Sequence, residues 1–200
     1  ADIEYNGIGV DKDTWTATAK SVEQEVRILE EELYQMILDD SLFIDFVPKN
    51  YNLSLFDTME GSRVESLKKN LSFSSPKQVL SLFHTIDDSL DSVNGKLLLT
   101  IKGKHPIIAK YILFKEKEKL FNAYGPTFLE KFVEEDGKVH TSFNQILDTG
   151  RVSSRHPNMQ QIPADNKYRN AFTADDGYVF ASSDFSSQEL CIIATGSKDP

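Results

Sequence analysis

The stretch from residue 22 to residue 37 constrains the fold more than any other. Val22, Val26, Leu29, Leu33 and Met36/Ile37 recur there at spacings of three and four. That period places apolar side chains on one face of an α-helix, and it predicts a long surface helix from about Asp13 to Asp39. Glu23, Glu25, Glu30, Glu31 and Glu32 cover its other faces. A second helix is expected from Ser75-Pro76-Lys77-Gln78, where an N-cap serine, a proline at the first helical position and a glutamine at the third read as a capping box. It carries Val79, Leu80 and Phe83. A third opens at His105-Pro106 and runs to about Asn122, with Ile107, Ile108, Tyr111 and Ile112 on its apolar side. Between these, Ser41 to Leu71 reads as less regular, with turns at Pro48-Lys49-Asn50 and Glu60-Gly61-Ser62. Asp87 to Gly95 reads as a polar loop.

Gly137, inside Glu134-Glu135-Asp136-Gly137-Lys138, marks a turn and a domain boundary. Beyond it the period changes. Val139 to Gln145 reads as a strand, and Gly177 to Asp184 as a better one. In the latter, Tyr178, Phe180, Ser182 and Asp184 share one face, and Val179, Ala181 and Ser183 the other. A helix is expected at once, capped by Ser186 with Glu189 three residues on, its apolar side Leu190, Ile193 and Ala194, and Gly196 as its stop. Helices followed by strands make the expected fold class α+β.

Composition narrows the function classes. The formal net charge is −9 and 40% of residues are hydrophobic, the profile of a folded soluble chain. The longest unbroken apolar run is Leu190 to Ala194, too short for a membrane span. No basic start leads into an apolar stretch, so no secretion signal is read. The single Cys191 excludes a disulfide framework and a thiolate zinc site, and fits a reducing compartment, the cytoplasm. His84, His105, His140 and His156 are scattered without metal-ligand spacing.

An acidic chain as a whole should repel nucleic acid, but the charge is segregated. Residues 1–60 hold 14 acids and 4 bases, residues 61–120 hold 6 and 11, residues 121–170 hold 6 and 6, and residues 171–200 hold 5 and 1. Lys110, Lys115, Lys117 and Lys119 cluster along the third helix. A solvated helix face accounts for such runs, and so does a surface for phosphates.

Two segments carry chemistry. In Thr149-Gly150-Arg151-Val152-Ser153-Ser154 followed by Pro157-Asn158-Met159-Gln160-Gln161-Ile162-Pro163, one arginine, one asparagine and two glutamines can donate to acceptors on a base edge or a sugar. Minor-groove edges present N3 and O2 acceptors on every base pair, so such contacts need not depend on sequence. The same residues also serve as turn and cap formers in a surface loop. The second segment is Asp184-Phe185-Ser186-Ser187-Gln188-Glu189-Leu190. A carboxylate at the end of a strand, just before a tight turn into a helix, suits Mg²⁺, which takes hard oxygen ligands and often bridges one or two carboxylates to phosphates. Asp184 as a turn residue and Glu189 as the capping-box glutamate are the structural alternatives.

Together the two segments closely resemble the family A DNA polymerases, the DNA polymerase I family. That family carries T-G-R-x-S-S…P-N-x-Q-x-I-P and then D-Y-S-x-x-E-L, its motif A. Upstream, Lys119-Leu120-Phe121-Asn122-Ala123-Tyr124 is similar to its K-L-x-S-T-Y, Val139-His140-Thr141-Ser142-Phe143-Asn144-Gln145 to its V-H-T-S-F-x-Q, and Ser74-Ser75-Pro76-Lys77-Gln78 to its N-S-P-K-Q. In order and spacing the matches span residues 74–190.

The resemblance implies a hand-shaped polymerase. Residues 1–12 would be a lead-in from an upstream region, 13–137 a helical thumb gripping the duplex, and 138–200 the first part of an antiparallel-sheet palm. Asp184 would ligate two Mg²⁺ ions, helped by the backbone carbonyl of Phe185. Glu189, with Ser186, would line the nucleotide site, Glu189 as a steric gate against a 2′-hydroxyl. Arg151, Asn158, Gln160 and Gln161 would contact the minor groove near the primer terminus, and Lys119, Asn122, Ser92 and Asn94 the duplex backbone. The implied partners are primer-template DNA and dNTPs, with no membrane, and the implied reaction is DNA-directed extension of a primer 3′ end. Phe185, Ser187, Gln188 and Cys191 depart from the usual D-Y-S-Q-I-E-L-R, which resembles a phage-encoded replicative enzyme. The fingers helix and the second catalytic aspartate of the family are not in this sequence, so it is expected to be an inactive fragment. The alternative expectation is a non-catalytic DNA-binding module.

Overall fold

A computed structural model describes residues 2–43, 46–47, 60–163 and 166–197. The elements run α1 (Asp2–Asn6), β1 (Ile8–Val10), α2 (Lys12–Asp39), a 3-10 turn (Ser41–Phe43), α3 (Glu60–Asn70), α4 (Pro76–Phe83), α5 (Gly95–Ile101), α6 (Pro106–Tyr124) and α7 (Pro126–Phe132). They continue with β2 (Lys138–Val139), β3 (Ser142–Asn144), β4 (Ser153–Arg155), a 3-10 turn (Met159–Gln161), α8 (Asn166–Arg169), β5 (Phe172–Thr173) and α9 (Gln188–Ser197). The chain divides into two compact units: Lys12–Lys131, and Ala1–Asp11 with Phe132–Pro200.

The helical unit forms because the stripe on α2 has apolar partners. Val22, Leu29, Leu33 and Ile37 are buried, together with Trp15 and Tyr34 at the same period. Against them lie Phe73, Val79, Leu82 and Phe83 from the α4 region, Leu98 and Ile101 of α5, and Ile107, Ile108, Tyr111 and Phe114 of α6. Aromatic rings meet edge-on or tilted, as their quadrupoles favour: Phe83 and Tyr111 lie 5.3 Å apart at 89°. At the other end, Trp15 stacks on Phe128 at 4.4 Å and donates its Nε1–H to the Tyr124 carbonyl at 3.0 Å.

Lys117 pairs with Glu25 at 2.5 Å and Lys110 with Glu32 at 2.7 Å. One number rises as the other falls, so α2 and α6 run antiparallel. Glu25, Glu32 and Glu31 of α2 are therefore counter-ions to Lys117, Lys110 and Lys68 of the basic middle segment, while Lys115 pairs with Glu118 and Lys104 with Asp87 inside that segment. This corrects the segment-by-segment reading of charge. Of the four lysines clustered on α6, three are paired, and Lys119 has no hydrogen bond or ion pair among the described residues.

The second unit is built on two small antiparallel sheets. One has the order β2-β1-β5, with Ile8 opposite Val139 and Val10 opposite Phe172; the other pairs β3 with β4, Phe143 opposite Ser154. Its buried residues include Val10, Val139, Ile162, Tyr168 and Ala171. The fold class is α+β, as expected.

Several local expectations are corrected. Ser75 is the N-cap of α4, but its side chain makes no cap bond. Gln78 instead reaches back past it, accepting from Ser72 N–H at 2.8 Å and donating to the Asn70 carbonyl at 3.0 Å. The less regular stretch 41–71 contains α3, and the polar loop ends at Asn94, which caps α5 by accepting from Leu97 N–H at 3.1 Å. The expected turn at Pro48-Lys49-Asn50 lies outside the described residues, and Glu60 to Ser62 begin α3. The strand expected over 139–145 is broken at His140 and Thr141 into β2 and β3. Residues 178–184 form no ladder with any strand among the described residues. The last helix starts at Gln188, after Ser187 in the left-handed region (φ 55°), so Ser186 does not cap it, and Gly196 lies inside it.

Candidate nucleic-acid and nucleotide interface

The polar segment 149–163 is a turn, a strand and a second turn, and the structure shows why it holds a shape. Gly150 takes a positive φ of 69°, which a residue without Cβ adopts at no steric cost, and the chain turns there into Arg151 and β4. Asn158 caps the following 3-10 turn, its Oδ1 accepting from Gln160 N–H at 3.1 Å. Gln160 Nε2 donates back across the loop to the Val152 carbonyl at 2.8 Å. Two of the expected minor-groove donors thus spend part of their capacity on the loop itself. Asn158, Gln160 and Gln161 are all exposed, and an amide nitrogen carries two protons, so Asn158 Nδ2 retains both donors and Gln160 Nε2 retains one.

Arg151 and Glu189 meet. The Arg151 Nη2 donates to Glu189 Oε1 at 2.7 Å, with both side chains about three-quarters exposed. The Glu189 carboxylate therefore points to the arginine and not to the start of α9, and the second capping box does not form. An exposed pair of this kind contributes about 0–1 kcal/mol. It can open at little cost when another acceptor or donor arrives.

Asp184 stands at the end of the run 178–184, which forms no strand, and is exposed, with no hydrogen bond or ion pair among the described residues. Phe185 beside it is 78% exposed, and every residue from Asp175 to Ser197 is exposed. A lone carboxylate in water is competent as one hard ligand. No group of three or more His, Cys, Asp or Glu side chains able to hold an ion occurs among the described residues. The residues here fit one ligand position and do not fit a two-ion centre.

In the helical unit, Lys119 and Asn122 are exposed on the last turns of α6 and line an open groove with Lys115, Glu118 and Ala123. Ser92 and Asn94 lie on the segment before α5, where Asn94 serves as the cap. That segment is tied down by Asp87, which accepts from Ser89 N–H at 3.2 Å, from Ser89 Oγ at 2.6 Å and from Lys104. The lysine, then the serine donors, hold the Asp87 carboxyl down at about 2. Asp87 was legible as the start of a polar loop but not as its anchor; its lysine is 17 positions away.

The family description DNA polymerase family A matches residues 12–200. DNA polymerase I of Treponema pallidum is 41% identical over 113 residues, 54% of this chain and 11% of that protein. DNA polymerase I of Helicobacter pylori is 31% identical over 206 residues, 98% of this chain and 20% of that protein. Among solved structures, the POL domain of Pol1 from M. smegmatis, in complex with DNA primer-template and dNTP, superposes with a TM-score of 0.68 at 24% identity, over 99% of this chain and 32% of that one. The chain spans about a fifth of the length of the Helicobacter relative. The match to the family description extends from α2 to the last residue, and on that ground the chain belongs to DNA polymerase family A.

Proposed function

We propose that this chain is a working part of a DNA-directed DNA polymerase, which extends a primer 3′ end with deoxynucleotides. Residues 13–137 act as the thumb on the duplex and residues 138–200 as the beginning of the palm. The observation that carries the proposal is the grouping in one unit of an unpartnered, exposed Asp184 with Arg151 and Glu189, paired but loosely enough to exchange. The family match across both units supports the same reading.

In this reading Asp184 supplies one hard oxygen ligand to a divalent cation, Mg²⁺, and the Phe185 carbonyl lies within the same exposed turn. A cation bound there would draw charge from the reacting oxygens. Arg151, with the free amide protons of Asn158 and Gln160 and the Gln161 side chain, contacts acceptors along the minor groove, which makes binding independent of sequence. Glu189 lines the sugar side of the nucleotide. Lys119, Asn122, Ser92 and Asn94 touch phosphates, and Lys119 is suited to it because its charge is not already matched. The partners are primer-template DNA and dNTPs.

The test is primer extension by the polymerase that carries this chain, with Mg²⁺ and dNTPs. Asp184→Asn keeps the shape and removes the charge; extension falls by at least about a thousandfold while primer-template binding stays within about twofold. Unimpaired extension by that variant would falsify the ligand role. The single carboxylate also suits a DNA-binding module without chemistry. Duplex binding with no extension by the unaltered protein would establish that alternative.

A further inference from the structure

We propose that Thr141 and Ser154 are positioning residues for the loop that carries Asn158, Gln160 and Gln161, and so set the affinity for primer-template DNA. The inference rests on the reading of that loop as a minor-groove contact.

Thr141 and Ser154 are each 3% exposed. Their hydroxyls lie 2.6 Å apart. Thr141 Oγ1 is also 2.7 Å from the Pro157 carbonyl and 3.0 Å from the Arg155 carbonyl, and Ser154 Oγ is 3.2 Å from the Pro157 carbonyl. Met159 N–H donates to Ser154 Oγ at 3.0 Å.

Each hydroxyl has one proton, and the amide of Met159 can only donate. The shortest consistent assignment is a one-way chain. Met159 N–H donates to Ser154 Oγ, Ser154 O–H to Thr141 Oγ1, and Thr141 O–H to the Pro157 carbonyl. The two ends of the chain fall on residues 157 and 159, on either side of Asn158. Two hydroxyls from β4 and the β2–β3 break therefore fix the spacing of the backbone that presents Asn158 and starts the Met159–Gln161 turn. The turn needs such a fixture. His156, just before it, sits in the left-handed region at φ 54°, which costs a residue with a Cβ. Buried polar groups are tolerated only when satisfied, and here each is satisfied by the loop.

The same chain explains the broken strand. Continuing β2 into β3 would turn Thr141 into an ordinary ladder residue; the break frees its side chain to point at β4 and the following turn.

The experiment measures primer-template affinity by fluorescence anisotropy at fixed low salt for the unaltered protein, Thr141→Val, Thr141→Ser, Ser154→Ala and Val139→Ala. Val139 is buried in β2 of the same unit and makes no part of the chain, so it reports loss of stability alone. Thr141→Val is close in shape and lacks the donor. It is expected to weaken binding about tenfold, with Ser154→Ala similar and Thr141→Ser restored to within about twofold. Val139→Ala should bind as the unaltered protein does. If Thr141→Val does not fold, Ser154→Ala and Thr141→Ser decide the matter. Tight binding by Ser154→Ala overturns the inference and leaves the proposed interface standing. An equal loss in Val139→Ala also overturns it, because the effect then follows stability. Absence of duplex binding by the unaltered, folded protein overturns the interface reading itself, and the positioning role with it.

Discussion

His105 shows how much one ring can decide. Its Nδ1 accepts from Ile107 N–H at 3.2 Å, its Nε2–H donates to Asp40 Oδ2 at 2.8 Å, and the ring stands edge-on to Phe43 at 5.6 Å. Those partners require the neutral tautomer with the proton on Nε2. The residue therefore caps α6 and fastens its start to the end of α2. The Asp40 carboxyl is held below its usual range, first by the Leu42 amide and then by His105. His105→Ala should lower unfolding free energy by about 1–2 kcal/mol in urea titration, with the m-value unchanged, and His105→Asn should recover part of it by keeping the cap. Equal loss in both variants would assign the whole effect to Asp40 and Phe43. The sequence announced the helix start at His105-Pro106 but not the carboxylate, which lies 65 residues away. The same limit applies to Glu189: its spacing from Ser186 suggested a cap, and the arginine that holds it is 38 residues upstream.

At the level of elements, periodicity was a good guide wherever the helix was long. The stripes on α2 and α6 were readable because three or more turns repeat the same face. Among the described residues, helix α3 has Val64, Leu67 and the following Leu71 to mark its buried side, and α5 has Leu98 and Ile101. Two buried apolar residues within a short element do not separate a helix from a loop. Pairing in sheets was less readable still: alternation over 178–184 suggests a strand, but a ladder needs a neighbouring strand, and the period says nothing about one. Caps sort the same way. Asn94→Ala should cost about 1 kcal/mol, because it removes an observed bond to Leu97 N–H, whereas Ser75→Ala should cost no more than a few tenths, because no such bond exists. Thermal unfolding of the two variants side by side checks it; a larger loss for Ser75→Ala would restore the capping box that the spacing suggested.

On the scale of the whole molecule, the first eleven residues are not a lead-in alone. They supply β1, the central strand between β2 and β5, so the second unit is assembled from segments more than a hundred residues apart. His140 helps hold them. Its Nδ1 lies 2.9 Å from the Glu4 carbonyl and its Nε2 lies 2.9 Å from Asp136 Oδ2. Both partners are acceptors, so both nitrogens must carry protons for both bonds to exist. The Glu4 carbonyl, then Asp136, raise the His140 pKa above its ordinary 6.5, with Glu134 adding to the attraction. Asp136 moves the opposite way, held low by His140 and by the Lys138 amide, with the Lys138 charge contributing. Gly7 is packed so closely on the ring that a Cβ there would sit 2.6 Å from His140 Cε1, which keeps the imidazole over the segment. A raised histidine stabilises the fold fully below pH 6.5 and loses that contribution as pH rises through the raised value. The depressed aspartate stabilises above its ordinary 3.8 and loses its share as pH falls through the lowered value. The strap formed by α1 and β1 is therefore held best from about pH 4 to 6.5 and loosens on the alkaline side. Amide exchange of residues 4–10, corrected for intrinsic rates, should show protection falling as pH rises from 6 to 9. In His140→Gln, which cannot titrate, protection should be lower at pH 6 and flat across the range. An unaltered pH profile in that variant would move the control of the strap to another group.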